Sequence, residues 1–132
     1  MKKEIIITLP LEVYTTKSKT KKSKFILNLN TYRNCHYTKL NSVKIAYKNA
    51  IQELIPGIKL GKVKLTYTYY AKTRRRLDIS NVCSIIDKFT CDALVDKGVL
   101  IDDNYDYIPE VTYKFGGVDK NNPRCELLIE EI

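Results

Sequence analysis

Apolar residues follow two kinds of spacing along this chain. Short stretches of β-branched or aromatic residues, several of them alternating with polar residues, predict β-strands at 4–9, 25–29, 63–70, 108–115 and 125–129. In the stretch at 63–70 every second residue is apolar or aromatic, which is typical of a strand with one buried face. The asparagine-flanked residues 30–34 and the pair Gly116-Gly117 are predicted turns.

Two longer stretches carry apolar residues at the spacing of an α-helix. The apolar positions of the first are Leu40, Val43, Tyr47, Ile51 and Leu54. The second covers 80–97 and ends before Gly98, which we expect to adopt the left-handed conformation of a C-terminal cap. The stripe of this helix that should pack on the sheet consists of Val82, Ile85, Ile86, Phe89 and Ala93. We therefore expect one compact α/β (α+β) domain over residues 1–132, with a mixed sheet of about five strands packed by two main helices.

Length and composition agree with that expectation. A chain of 132 residues, 44% of them hydrophobic, is long enough for one buried core and too short for two domains. No apolar run approaches the roughly 20 residues of a membrane span, and the N-terminal residues lack the features of a signal peptide, so we expect a cytoplasmic protein without a membrane partner. The four cysteines and the single histidine, His36, do not have the spacing of a zinc site.

Charge divides the chain into a basic and an acidic part. Residues 1–76 carry 18 Lys and Arg against 3 acids, whereas residues 77–132 carry 5 against 12. The basic part is expected to attract a polyanion. Its lysine-rich segment at 15–24 predicts a mobile basic loop, either an arm that contacts phosphates or simply a soluble hairpin loop. The predicted DNA contacts are Lys17, Lys19, Lys21, Lys22, Lys24, Arg33, Lys72, Arg74, Arg75 and Arg76.

Acidic residues flank the predicted second helix. Asp78 precedes it, and Asp102 and Asp103 follow it. A helix of about 18 residues is roughly 27 Å long, so these carboxylates meet only if the chain beyond Gly98 folds back. Converging carboxylates repel one another, and a bound Mg²⁺ ion would relieve that repulsion. The alternative is that these acids simply solvate exposed faces of the protein.

Polar residues border the apolar stripe of the second helix. Asn81, Ser84, Lys88 and Asp92 lie along one border, whereas Asp87 projects about 100° away from Lys88 and is expected to stay outside a shared cluster. Lys88 has two interpretations: it stabilises negative charge that develops at a phosphate, or it forms an ordinary ion pair with Asp92. Together with the arginines at 74–76, these residues predict a metal-dependent DNA nuclease.

The order of these residues resembles that of a known family. The chain reads Asp78-Ile-Ser-Asn81, then Lys88-Phe-Thr-Cys-Asp92-Ala-Leu, then Gly98-Val-Leu-Ile-Asp102-Asp103. This succession of D-x-x-N, K-x-x-x-D-A-L and G-x-x-x-D-D is similar to the pattern of the RusA-type Holliday junction resolvases, endonucleases found in phages and prophages. The likeness is confined to this part of the chain.

The resemblance implies a small homodimer with a mixed α/β fold that binds four-way junctions of double-stranded DNA and cuts them symmetrically with Mg²⁺ or Mn²⁺. The site residues that it implies are the metal ligands Asp78 and Asp103 with Asp102 beside them, the catalytic lysine Lys88, and Asn81 as a supporting residue. The family motif usually has a second aspartate where this chain has Ser80. If another residue replaces that ligand, we expect Asp92 rather than Asp87 to do so.

Two other functions stay open on the sequence alone. Ser80 in place of an aspartate also fits a non-catalytic DNA-binding protein that keeps the resolvase scaffold. The third interpretation is a small basic RNA-binding protein whose acids are only surface charge, although it leaves Asp78, Asp102 and Asp103 without a shared role.

Overall fold

A mixed sheet carries the fold in the computed structural model, which describes residues 2–16 and 19–132. Its strands are β1 (Glu4–Leu9), β4 (Val63–Ala71), β5 (Glu110–Val118) and β6 (Arg124–Glu131). They are arranged in the order β1-β6-β4-β5, and only β4 and β5 are parallel. Two further strands, β2 (Glu12–Thr16) and β3 (Lys22–Ile26), form a separate antiparallel hairpin. The α+β class and the single compact domain are confirmed, but the mixed sheet has four strands within the described ranges, because β3 pairs with β2 instead of joining it.

The hydrophobic core lies between the helices and the sheet. They are α1 (Leu29–Arg33), α2 (Tyr37–Ile51) and α3 (Ile79–Asp96). Every second residue of β4 is buried, α3 contacts β4 and β5, and the predicted stripe is buried in full. Not all of that stripe faces the sheet, because Phe89 packs on rings of β3, α1 and α2. Gly98 follows α3 with a φ of 79°, as predicted for the cap residue. None of the helices in the described part of the chain has the length and apolar character needed to cross a bilayer.

The segment between the hairpin and α2 differs from the prediction. The strand predicted at 25–29 ends at Ile26, and the turn predicted at 30–34 is mostly the short helix α1. The side chain of Asn28 caps α1 by accepting a hydrogen bond from the N–H of Thr31 at 2.8 Å. Asn81 of α3 accepts another from the N–H of Leu29 at 3.0 Å. This second contact comes from a distant part of the chain, so the local pattern gave no sign of it.

The prediction of a mobile loop at 15–24 is wrong at both ends of that segment, which belong to β2 and β3. Main-chain pairing extends the hairpin through these polar residues, and Thr15 is buried there. Val13 and Phe25 pair across the hairpin and are also buried, which anchors it on the core. Lys17 lies outside the described residues.

Candidate functional site

The chain reverses direction after α3. The N–H groups of Val99 and Leu100 both donate to the carbonyl oxygen of Leu94, at 3.0 and 3.4 Å. Val99 and Leu100 are buried, whereas Ile101 is exposed. The fold-back expected beyond Gly98 is therefore present, and it brings Asp103 alongside the middle of α3.

The returning segment, α3 and β5 together line a cavity of about 320 Å³, which we call the α3–β5 cavity. Its lining residues are Ser84, Asp87, Lys88, Cys91, Asp103, Ile108 and Val111. Those of α3 recur at the spacing i, i+3, i+4 and i+7, which places them on one face of the helix. The structure thus brings Lys88 and Asp103 to the same cavity, although they are fifteen positions apart in the chain.

Carboxylates crowd around Asp103. Its N–H donates to Oδ1 of Asp102 at 2.7 Å, and the side-chain amide of Asn104 donates to Oδ2 of Asp102 at 3.1 Å. Partial burial raises the pKa of Asp103, and its hydrogen bond with Asp102 and the negative charges of Asp102 and Asp92 raise it further. Asp92 acts on Asp103 only through its negative charge, and it does not line the α3–β5 cavity.

Replacing Asp102 with asparagine should stabilise the folded protein modestly at neutral pH when no divalent cation is present. The folded state raises the pKa of Asp103, so its contribution to stability is greatest below the ordinary carboxyl pKa and is lost as the pH rises through the raised value. Asp102→Asn removes one of the negative charges that repel ionised Asp103, so less stability is lost as the pH rises. We expect a gain of less than about 1 kcal/mol, because solvent screens these charges. Denaturant unfolding at neutral and acidic pH measures it, and an equal gain at both would contradict the charge explanation.

Asp87 occupies the α3–β5 cavity against expectation. Its Oδ1 accepts hydrogen bonds from the hydroxyl of Tyr67 at 2.9 Å and the thiol of Cys91 at 3.2 Å, and its Oδ2 accepts one from the hydroxyl of Tyr113 at 2.9 Å. Burial, with the negative charge of Asp87 beside it, raises the pKa of Tyr113 and of Cys91. The interpretation that excluded Asp87 from a cluster with Lys88 is therefore wrong, because both residues line this cavity.

Asp78 is not brought to this cavity. It precedes α3 as the N-terminal cap residue and is exposed, and it lies six residues before Ser84, or about 9 Å along the helix axis. Among residues 2–16 and 19–132 there is no group of three or more His, Cys, Asp and Glu side chains arranged to hold a metal ion. The predicted gathering of Asp78 with Asp102 and Asp103 is thus not seen there, because the returning chain reaches only the middle of α3.

The two remaining predicted site residues have different surroundings. Lys88 is exposed and, in the described residues, has no carboxylate within ion-pair distance, so the alternative pair with Asp92 is not formed. Asn81 uses its side-chain oxygen to bind the first N–H of α1. Lys88 is therefore available to a phosphate, whereas Asn81 supports the fold next to the site.

The oxygen donors around Asp103 fit a hard divalent cation. Mg²⁺ is commonly held by one or two carboxylates and keeps several waters, and Mn²⁺ accepts the same kind of donor. Asp102 and Asp103 supply two adjacent carboxylates, and the pKa of Asp103 is raised by partial burial first and then by Asp102 and Asp92, so a bound cation would favour its ionised form. Tyr67, Tyr113 and Cys91 already occupy most of the acceptor positions of Asp87, so Asp87 fits the ion less well.

The residues predicted to contact DNA lie on the surface wherever the structure describes them. The exposed ones are Lys19, Lys21, Lys22, Lys24, Arg33, Lys72, Arg74, Arg75 and Arg76. Lys17, the remaining one, lies outside the described residues. No protein-family model matches this chain, and no curated protein matches it. The assignment to the resolvase family therefore stays a prediction from the motif residues.

Proposed function

We propose that this protein is a magnesium-dependent endonuclease that cuts branched DNA, four-way junctions in particular. The observation that carries the proposal is the shared cavity of Lys88 and Asp103, with the carboxylate of Asp102 hydrogen-bonded to the N–H of Asp103 beside it. The ammonium group of Lys88 has no carboxylate partner and can bind a phosphate, while the nearby carboxylates can hold a metal ion. Together they suit a phosphodiester that is bound through a metal ion and a lysine.

The roles of the residues follow from their chemistry. Asp102 and Asp103 would hold the ion, which would supply an activated water and neutralise charge on the leaving oxygen. Lys88 binds an oxygen of the phosphate that is attacked and stabilises the negative charge that develops on it. Asp87 cannot turn freely, because donors from β4, β5 and α3 fix both of its oxygens, so it gives the cavity a rigid acidic wall.

The basic residues support binding of a polyanion. The chain carries a net charge of +8, and its exposed lysines and arginines contribute affinity by releasing counterions from the phosphates they contact. Two symmetric cuts across a junction require two sites, so we propose that the active form is a homodimer. In keeping with the resemblance to resolvases of phages and prophages, the proposal includes a phage or prophage origin and action in the cytoplasm.

A second function, DNA binding without cleavage, is favoured by one specific observation. Asp78 lies outside the α3–β5 cavity, and Ser80, in the first turn of α3, carries no carboxylate that could take its place. The exposed basic residues would serve either function equally well.

A cleavage and binding assay on a labelled four-way junction tests the proposal. With Mg²⁺ we expect paired, symmetric cuts, with chelator we expect binding alone, and a linear duplex of equal length should not be cut. Affinity should fall with a log–log slope of about 0.9 for each contacted phosphate as salt is added. Junction binding without cleavage in Mg²⁺ or Mn²⁺ would favour the non-catalytic function, and the absence of any binding would contradict both.

A further inference from the structure

A second cavity lies where β4, the loop after it and the start of α3 meet the edge strand β5. Its volume is about 290 Å³, and we call it the arginine-rimmed cavity. Its apolar floor is formed by Tyr69, Ala71, Leu77, Ile79, Phe115 and Val118. Thr73 and the arginines at 74–76 form its rim. It has no lining residue in common with the α3–β5 cavity.

The floor exposes large apolar side chains to water. Phe115 is 55% exposed, Val118 45% and Leu77 44%. The ring of Phe115 lies 6.3 Å from the ring of Tyr69 with a tilt of 59°, so the floor presents an aromatic pair. Exposed apolar side chains that cluster around one concave site are typical of a surface that binds a partner.

The rim carries positive charge that the protein does not neutralise. Arg74, Arg75 and Arg76 are all exposed, and none of them has a carboxylate within ion-pair distance in the ranges that the structure describes. The loop that bears them is held by a hydrogen bond from the N–H of Arg75 to the hydroxyl of Thr73 at 3.3 Å. Guanidinium groups without internal partners favour an anionic ligand, and phosphate matches their geometry best.

We propose that the arginine-rimmed cavity binds an unstacked nucleobase of a DNA strand while its arginines hold the flanking phosphates. This inference rests on the proposed function, because it assumes that the protein binds DNA. An aromatic floor stacks on the flat face of a base regardless of sequence, and an arginine rim suits the backbone on either side. A base inside a continuous duplex cannot reach such a floor, whereas bases are readily unstacked in single strands and where a duplex is interrupted at a branch.

A neighbouring cavity indicates how the strand would continue. It has a volume of about 460 Å³ and shares Tyr69 and Leu77 with the arginine-rimmed cavity. Its charged lining residues are Lys24, Lys72 and Glu12, so a net positive charge continues along the same surface. A chain of phosphates passing over Tyr69 and Leu77 would therefore meet basic side chains on both sides.

Fluorescence anisotropy in the presence of chelator tests the proposal without cleavage. The probes are a single-stranded oligonucleotide, a linear duplex and a four-way junction, and the variants are Phe115→Ala and Phe115→Leu. Ile6→Ala is the matched control, because Ile6 is also an exposed apolar residue but lies on β1, at the opposite edge of the sheet. We expect Phe115→Ala to weaken single-strand and junction binding about tenfold, with duplex affinity and the salt slope unchanged. The affinity of Phe115→Leu should lie between those of the wild type and Phe115→Ala, because leucine keeps apolar area but lacks the ring.

The triple variant Arg74→Gln, Arg75→Gln, Arg76→Gln separates the rim from the floor. We expect it to weaken binding to all three DNAs and to lower the salt slope, because it removes phosphate contacts rather than stacking. A Phe115→Ala protein that binds every DNA as the Ile6→Ala control does would overturn the proposal. So would a change of molecular mass in light scattering for Phe115→Ala, because a second copy of the chain would then cover the floor. This assay measures binding alone, so a protein that does not cleave DNA can still show the expected loss of affinity.

Discussion

Asp103→Asn is expected to slow cleavage of a four-way junction by at least about a hundredfold. Asp103 belongs to the α3–β5 cavity and has the adjacent Asp102 and the nearby Asp92 as acidic neighbours, so its carboxylate is central to the proposed ion site. A metal ion supplies several kcal/mol of charge stabilisation in the transition state, and each change of about 1.4 kcal/mol in the barrier changes the rate roughly tenfold. Junction affinity in chelator should stay within about twofold or rise, because an acid near phosphates repels them.

The controls for this prediction separate loss of charge from loss of the site. Glu53→Gln makes the same change of charge at an exposed position outside the cavity and should cut as the wild type does. Lys88→Ala should also lose cleavage, since Lys88 is the cation of the same cavity. Because Asp78 lies outside it, we expect Asp78→Asn to keep more activity than Asp103→Asn does. Single-turnover rates on a labelled junction measure all four, and wild-type cutting by Asp103→Asn would remove the α3–β5 cavity from the mechanism.

Local patterns predicted the parts of the fold that local forces decide. The period-two burial of β4 and the buried stripe of α3 follow from spacing within one element, and both are confirmed. The segment at 15–24 misled the prediction because its side chains are polar and charged. Its two ends nevertheless belong to β2 and β3, through main-chain pairing and through the burial of Val13 and Phe25 in the same strands. Which strands pair in which sheet also depends on contacts between distant residues, and so β3 was assigned to the wrong sheet.

The site was predictable only in part for the same reason. The fold-back after Gly98 could be expected from the apolar residues that follow it. How far the chain returns along α3 could not be predicted. The returning chain brings Asp103 to the cavity of Lys88, and Asp78 lies outside that cavity. Asp87 was excluded on helix angles alone. Its place depends on Tyr67 and Tyr113, which pair directly across β4 and β5 and both donate to it. A useful signal was present, since Ser84, Asp87, Lys88 and Cys91 already share one helix face.

Phe89→Ala is expected to lower the free energy of unfolding by about 3–5 kcal/mol. Phe89 is buried at the centre of an aromatic cluster in which its ring lies 6.5 Å from Phe25, 6.1 Å from Tyr32 and 5.7 Å from Tyr47. These three rings belong to β3, α1 and α2, so a single side chain of α3 joins the hairpin and both other helices. Truncation removes contacts to all three elements and leaves a cavity that no single movement can fill.

The size of this loss would make the variant marginal, because domains are commonly stable by only about 5–15 kcal/mol. Urea unfolding measures it, and Phe89→Leu is the matched variant, since it keeps most of the volume and should lose less than half as much. Hydrogen exchange adds a second measurement: the amides of β2 and β3 should lose protection more than those of β6, because Phe25 ties the hairpin to Phe89 whereas β6 is paired on both sides within the sheet. A loss below about 1 kcal/mol with uniform exchange would show that the hairpin and the helices are held together independently of Phe89.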